Sequence, residues 1–251
     1  MKKLVRMLAV MCVLGIMSGR FSADAQEKIR VLSDGPLRPA LTEIGEAFYR
    51  ERGSHVEFVF GTSPVIHKKV TDGEIADVLI IQPSFVTELV TAGKVVGGEH
   101  PVIGRIGVGL AARADSTARD VSTTQGLRQT LLNADSLIFN NVASGDYFAK
   151  VLERLGIAEA VKAKVIRLDP SAVNDRVIHG RGNEICIGVI PLLKTTRGLR
   201  FLGPLPAELQ SYVSYAAALL TNSPYPQGGK AFINFLISPA ARAALTANGV
   251  E

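Results

Sequence analysis

The sequence predicts an α/β protein of two lobes, each a mostly parallel sheet flanked by helices, with a ligand cleft between them. Three observations predict it. Short apolar runs alternate with amphipathic helical stretches along nearly the whole chain. Three of those runs end in a small polar turn that opens a helix. Two longer apolar runs, 103–112 and 212–220, suit strands that leave one lobe and return to it. A chain that crosses once in each direction makes a hinged cleft. A single doubly wound domain is the alternative arrangement of the same elements.

Taken in order, 28–33 reads as a strand. In 36–51, Leu37, Ala40, Leu41, Ile44 and Phe48 recur at helical spacing, and Gly53 is a helix stop. Residues 55–60 form a strand, 64–72 a short helix ended by Gly73, 76–81 a buried strand and 85–92 a helix stopped at Gly93. After the long run 103–112, 126–132 is helical and 136–140 a strand. Residues 145–155 form a helix with Phe148, Val151, Leu152 and Leu155 on one face. Strands at 165–168 and 185–190 flank a short helix at 172–179. After 212–220, helices at 226–237 and 239–248 close the chain.

Residues 1–25 read as an export signal. Lys2, Lys3 and Arg6 form a basic start, 7–17 is almost wholly apolar, and Ala23-Asp24-Ala25 fits an A-x-A cleavage site. The apolar run falls short of the roughly 20 residues that span a bilayer. Four of the 28 basic and one of the 23 acidic residues lie within 1–25, so the remaining chain carries a net charge of +2. That balance gives no footprint for nucleic acid. Cys186 is the only cysteine beyond the signal, so the fold rests on its core rather than on a disulfide. The division expected is 1–25 as signal peptide, 26–104 with 215–251 as lobe one, and 105–214 as lobe two.

The chemistry lies in the turns. Ile29-Arg30-Val31-Leu32 runs into Ser33-Asp34-Gly35-Pro36, and Phe58-Val59-Phe60 into Gly61-Thr62-Ser63-Pro64. Leu137-Ile138-Phe139 runs into Asn140-Asn141-Val142-Ala143-Ser144-Gly145. Each break puts free backbone N–H groups and hydroxyls at a helix start, where an anion is favoured. In open α/β sheets ligands sit at the carboxyl ends of strands. Ser33, Ser63 and Ser144 also read as plain N-caps, which is compatible with ligation. Arg38, Lys68 and Arg176 are near first helical turns and suit an organic carboxylate or a solvated face. Asp77 reads as a buttress of its turn, and Tyr147 as core packing rather than cleft lining. Enzyme signatures are weak: His55, His67, His100 and His179 are scattered, and no nucleophile elbow, His-Glu-x-x-His or phosphate-loop lysine occurs.

The order of segments resembles the type II periplasmic solute-binding proteins, in their molybdate-binding branch. The features are the Ser33 turn, Ala40-Leu41-Thr42-Glu43-Ile44, Val56-Glu57-Phe58-Val59-Phe60-Gly61-Thr62-Ser63 and Gly73-Glu74-Ile75-Ala76-Asp77-Val78. A second-lobe counterpart is Gly182-Asn183-Glu184-Ile185-Cys186-Ile187-Gly188-Val189. The resemblance implies a Venus-flytrap binder of a molybdate-like oxyanion that serves an ABC transporter permease in the inner membrane. It implies a periplasmic, monomeric protein without catalysis, cofactor, metal or nucleic-acid partner. The ligand set it implies is Ser33, Asp34, Thr62 and Ser63 from one lobe, with Ala143, Ser144 and Val173 from the other. Two departures bear on the ligand: Asp34 would repel an oxyanion if it faced the cleft, and Pro191 stands where molybdate binders often carry Tyr. A binder or sensor of a small organic acid on the same scaffold is the second expectation, and a secreted hydrolase the third.

Overall fold

A computed structural model of the protein describes residues 28–117 and 120–251. The signal-peptide reading of 1–25 lies outside the described residues.

The first strand–helix alternation is β1 (Ile29–Asp34), α1 (Arg38–Arg52), β2 (Val56–Gly61), α2 (Ser63–Thr71), β3 (Val78–Ile81) and α3 (Pro83–Thr91). Gly53 ends α1 with a φ of 72° and Gly93 follows α3 with a φ of 68°, the left-handed backbone that only glycine adopts freely. The long strand β4 (Val102–Arg113) follows. The second alternation is α4 (Thr124–Asn133), β5 (Ser136–Asn140), α5 (Ala143–Arg154), α6 (Ala158–Val161), β6 (Val165–Leu168), α7 (Pro170–Ile178), β7 (Glu184–Val189), α8 (Ile190–Thr195) and β8 (Leu199–Pro204). The chain ends with β9 (Tyr212–Leu219), α9 (Pro226–Leu236) and α10 (Pro239–Ala247).

The strands run in the order β2-β1-β3-β9-β4-β7-β5-β6, with β8 also on β4. β1 lies parallel to β2 and β3, and β5 parallel to β6 and β7. The antiparallel pairings all involve β4 or β9. The two long apolar runs are these two strands. β4 joins the two groups: Val102–Gly107 pairs with β9, and from Val108 onward the strand pairs with β7 along one edge and β8 along the other. The change of partner falls between Gly107 and Val108.

The Gln210 side chain occupies that junction. Its Oε1 accepts from the Val108 N–H at 2.8 Å, and its Nε2 donates to the Val108 carbonyl at 2.8 Å. A side-chain amide thereby supplies the pairing that a neighbouring strand would give. A Cβ on Gly107 would sit 3.0 Å from the Gln210 amide carbon.

Helices cover both faces of each strand group. In the first, Leu37, Leu41, Ile44 and Phe48 pack with Phe232, Phe235 and Leu245. Phe48 meets Phe232 edge-on at 5.2 Å between ring centres. Ile66, Val70, Val86 and Leu89 cover the opposite face. In the second group, Leu127, Leu131, Phe148, Val151 and Leu152 cover one face, and Val173, Val177 and Leu193 the other. α8 packs on α1 and on the turn 35–37, so an element that follows β7 lies against the residues that follow β1.

Three elements carried no sequence signal, the four-residue α6 among them. α8 is six residues long and starts at Ile190-Pro191, too short for a helical period to register. β8 contains Gly203 and ends at Pro204, residues that usually mark a turn.

Candidate functional site

The site grows from the carboxyl end of β1. Ser33 and Asp34 are the last two residues of that strand, paired in register with Phe60 and Gly61 of β2. Ser33 is 0% exposed, Asp34 6% and Ser63 1%. One oxygen of Asp34, Oδ2, accepts the Ser63 backbone N–H at 3.1 Å and also the Ser63 hydroxyl. Gly35 adds a backbone N–H to the same carboxyl. Asp34 therefore fills the first donors of α2 from a neighbouring strand. Thr62 is the extended N-cap residue of α2, and its side chain makes no cap bond.

Burial dominates the electrostatics. Desolvation raises the Asp34 carboxyl above its ordinary 3.8, and the Ser63 and Gly35 donors pull it part of the way back. Among the described residues Asp34 forms no ion pair. Tyr215 of β9 is 3% exposed. Its phenol is raised by burial first and by the charge of Asp34 second, which puts the two side chains within electrostatic reach.

The second strand group builds a matching turn from neutral atoms. Asn140 is the last residue of β5 and is buried. Its Oδ1 accepts from the N–H groups of Val142 at 3.2 Å and Gly145 at 3.0 Å, and its Nδ2 donates to Ser144 Oγ at 2.8 Å. Asn140 thus caps α5. The N–H groups of Ala143 and Ser144, at the first two helical positions, make no hydrogen bond to a described residue and stay free for a ligand.

The remaining expected residues fall out differently. Val173 is buried among Ala111, Ile138, Val177 and Cys186 as a core side chain, and it is the fourth residue of α7. An N–H at that depth belongs to the helix ladder, so the open donors at this helix start are earlier in the chain. Of the three candidate cations, Lys68 pairs with Asp72 at 2.8 Å on an exposed helix face, the solvated-face alternative, and Arg176 pairs with buried Glu184 at 2.7 Å, so neither is left open for an organic carboxylate. Arg38 is different: its guanidinium lies 4.2 Å over the Phe60 ring, and it forms no ion pair among the described residues. Asp77 is the expected buttress, accepting from Arg30 N, Ser223 Oγ and Tyr225 N. Tyr147 donates to the Leu209 carbonyl at 2.9 Å and packs against the core. Cys186 is buried and its thiol is pushed up to about 12, so it is no nucleophile at neutral pH. Among the described residues no group of His, Cys, Asp and Glu could hold a metal ion.

Asn140 and Tyr215 were missed as site residues. Asn140 left a signal, an amide at a strand end five residues before a glycine. Tyr215 left less, one polar tip inside an apolar strand.

With this geometry in view, the comparisons with known proteins define a class. Residues 29–251 match the bacterial extracellular solute-binding protein family, and the chain belongs to it. A related protein is an aconitate isomerase from a Pseudomonas species, 24% identical over 236 residues, covering 92% of this chain and 90% of that one. Among solved structures, the Azotobacter vinelandii periplasmic molybdate-binding protein superposes with a TM-score of 0.70 at 15% identity, over 89% of this chain and 98% of that one. Campylobacter jejuni PEB3 with bound L-phospholactate gives 0.64 at 13% identity, over 89% and 99%. These structures share the two-lobed, type II periplasmic-binding fold with this chain.

Proposed function

We propose that this protein captures a small organic polycarboxylate in the periplasm and delivers it to an ABC transporter permease. One observation carries the reading: the buried Asp34 carboxyl already holds both Ser63 donors. A fully charged inorganic oxyanion would have to displace that carboxyl or lie against it, and like charges in a dry site are costly. A carboxylic acid can share a proton with Asp34 instead. Arg38 supplies an uncommitted cation four residues away in sequence, and Ala143 and Ser144 offer open amides. Two relatives act on or hold organic acids by name, the aconitate isomerase and phospholactate-bound PEB3. The molybdate-like reading keeps the same scaffold but requires Ser63 to exchange Asp34 for the ligand.

The ligand would enter by a bend at Gly107–Val108, where β4 changes partners, with the two groups meeting around it when shut. Calorimetric titration with molybdate, tungstate, sulfate, citrate and both aconitate isomers tests the proposal. Heat from one or more carboxylates and none from molybdate is expected. Tight molybdate binding with silent carboxylates would overturn it.

A further inference from the structure

Among the described residues two buried aspartates lack an ion pair, Asp34 and Asp77. Asp77 is accounted for by structure. It lies just before β3 and ties β1 to the turn at 223–225 through three donors. Asp34 ties less together and sits at the carboxyl end of β1, where ligands of open sheets lie. Both Ser63 donors fall on Oδ2, so they fix the carboxylate plane and leave Oδ1 without a serine partner. Tyr215 lies within reach of its charge, is almost wholly buried, and makes no hydrogen bond to a described residue through its hydroxyl. A buried carboxylate that no cation neutralises, at the strand end where ligands lie, is placed for proton transfer.

We propose that Asp34 is a catalytic base and that the site isomerises an unsaturated polycarboxylate by moving a proton between two of its carbons. The proposal rests on the carboxylate reading given above. In the step, Asp34 Oδ1 takes a proton from an sp3 carbon that lies between a carboxylate and a carbon–carbon double bond. The C–H electron pair becomes a new double bond to the central carbon, and the old double-bond pair spreads onto the far carbon and its carboxylate. Asp34 then gives a proton to that far carbon, after the proton it took has had time to exchange with solvent. The double bond has moved one position, the atoms are unchanged, and neither oxidant nor reductant takes part. Ser63 positions Asp34, and Tyr215, whose phenol feels the charge of Asp34, is assigned the hydrogen bond to the charge that develops. Desolvation, which raises the Asp34 carboxyl, makes it a stronger base once ionised.

Proton NMR in deuterated buffer tests this, with cis-aconitate and trans-aconitate as probes and calorimetry on the same samples. The wild-type protein should bind a probe, exchange its methylene protons for deuterium and produce the opposite isomer. Asp34→Asn keeps the acceptor for Ser63 and should lower the exchange rate about a hundredfold or more while still giving binding heat. Tyr215→Phe, which removes only the hydroxyl, should slow exchange by a smaller factor. Binding without exchange in the wild type would overturn the proton-transfer role and leave the capture reading intact. Silence of both isomers and citrate in calorimetry would overturn both. Exchange at an unchanged rate in Asp34→Asn would overturn the assignment of the base.

Discussion

Two turns in this molecule solve the same problem with different atoms. At the end of β1, Asp34 caps α2 across a strand and is a buried carboxyl. At the end of β5, Asn140 caps its own α5 and is a neutral amide. The first turn spends its donors on a protein carboxylate. The second leaves the amides of Ala143 and Ser144 open. A charged cap buried in a dry place acquires a perturbed proton affinity. A neutral cap holds geometry and leaves the helix end available to an anion.

The comparison breaks most sharply at the glycines. A Cβ on Gly145 would lie 1.8 Å from the Asn140 carbonyl oxygen, a backbone atom that cannot yield. On Gly61, beside the first turn, it would meet only the Ile66 and Val65 side chains at 3.2 and 3.3 Å. Gly145→Ala should therefore destabilise by about 3 kcal/mol or more, beyond the usual range of overpacking, and Gly61→Ala by about 1 kcal/mol. Urea denaturation of both variants checks this. Equal losses would mean that the second turn relaxes as readily as the first.

The next effect is in the serines. Ser63→Ala removes a hydroxyl that donates to a carboxyl, a bond worth about 1.5–3 kcal/mol when the acceptor is charged. Folding stability should fall by about that much in urea denaturation. Ser144→Ala removes a hydroxyl that accepts from the neutral Asn140 amide, worth about 0.5–1.5 kcal/mol, and should cost less stability. The reverse ranking would mean that the buried carboxyl gains little from its serine.

The smallest effect is a slope with pH. Because burial raises Asp34 in the folded state, its protonated form is the one the fold favours. Its contribution to stability is fully present below the unfolded value near 3.8 and is lost as pH rises through the raised folded value. The stability of the wild type relative to Asp34→Asn should therefore decline over that interval. Chemical denaturation of both proteins at several pH values from 3 upward checks it. A difference that stays flat, or grows with pH, would mean that the Ser63 and Gly35 donors outweigh burial.

Most of the alternation was legible because it rests on long local signals. The 3.6-residue period of Leu37, Leu41, Ile44 and Phe48 and the stops at Gly53 and Gly93 each need only a few neighbouring residues to act. The strands β4 and β9 were visible as apolar runs, but their antiparallel pairings were not, since partners more than a hundred residues apart leave no local trace. The turns around Ser33, Ser63 and Ser144 announced a site through their small polar residues. What each turn does with its donors depends on contacts that cross the sheet. The Asp34 carboxyl meets Ser63, 29 positions on. Val173 was implied as a backbone donor by the family resemblance alone, and it lies at the fourth position of α7 with its side chain packed on Cys186 and Leu193.

The Gln210 amide at the junction of β4 has a consequence for exchange with solvent. A backbone that changes partners ordinarily exposes the amide at the break, and such amides trade their hydrogen quickly. Val108 instead has its N–H and carbonyl both held by one side chain from the start of the returning segment. That side chain hangs on three torsions and can follow a bend that a rigid strand cannot. The pivot of the molecule would then carry a slowly exchanging amide between faster neighbours, and Gln210→Ala would turn it fast without moving either strand group.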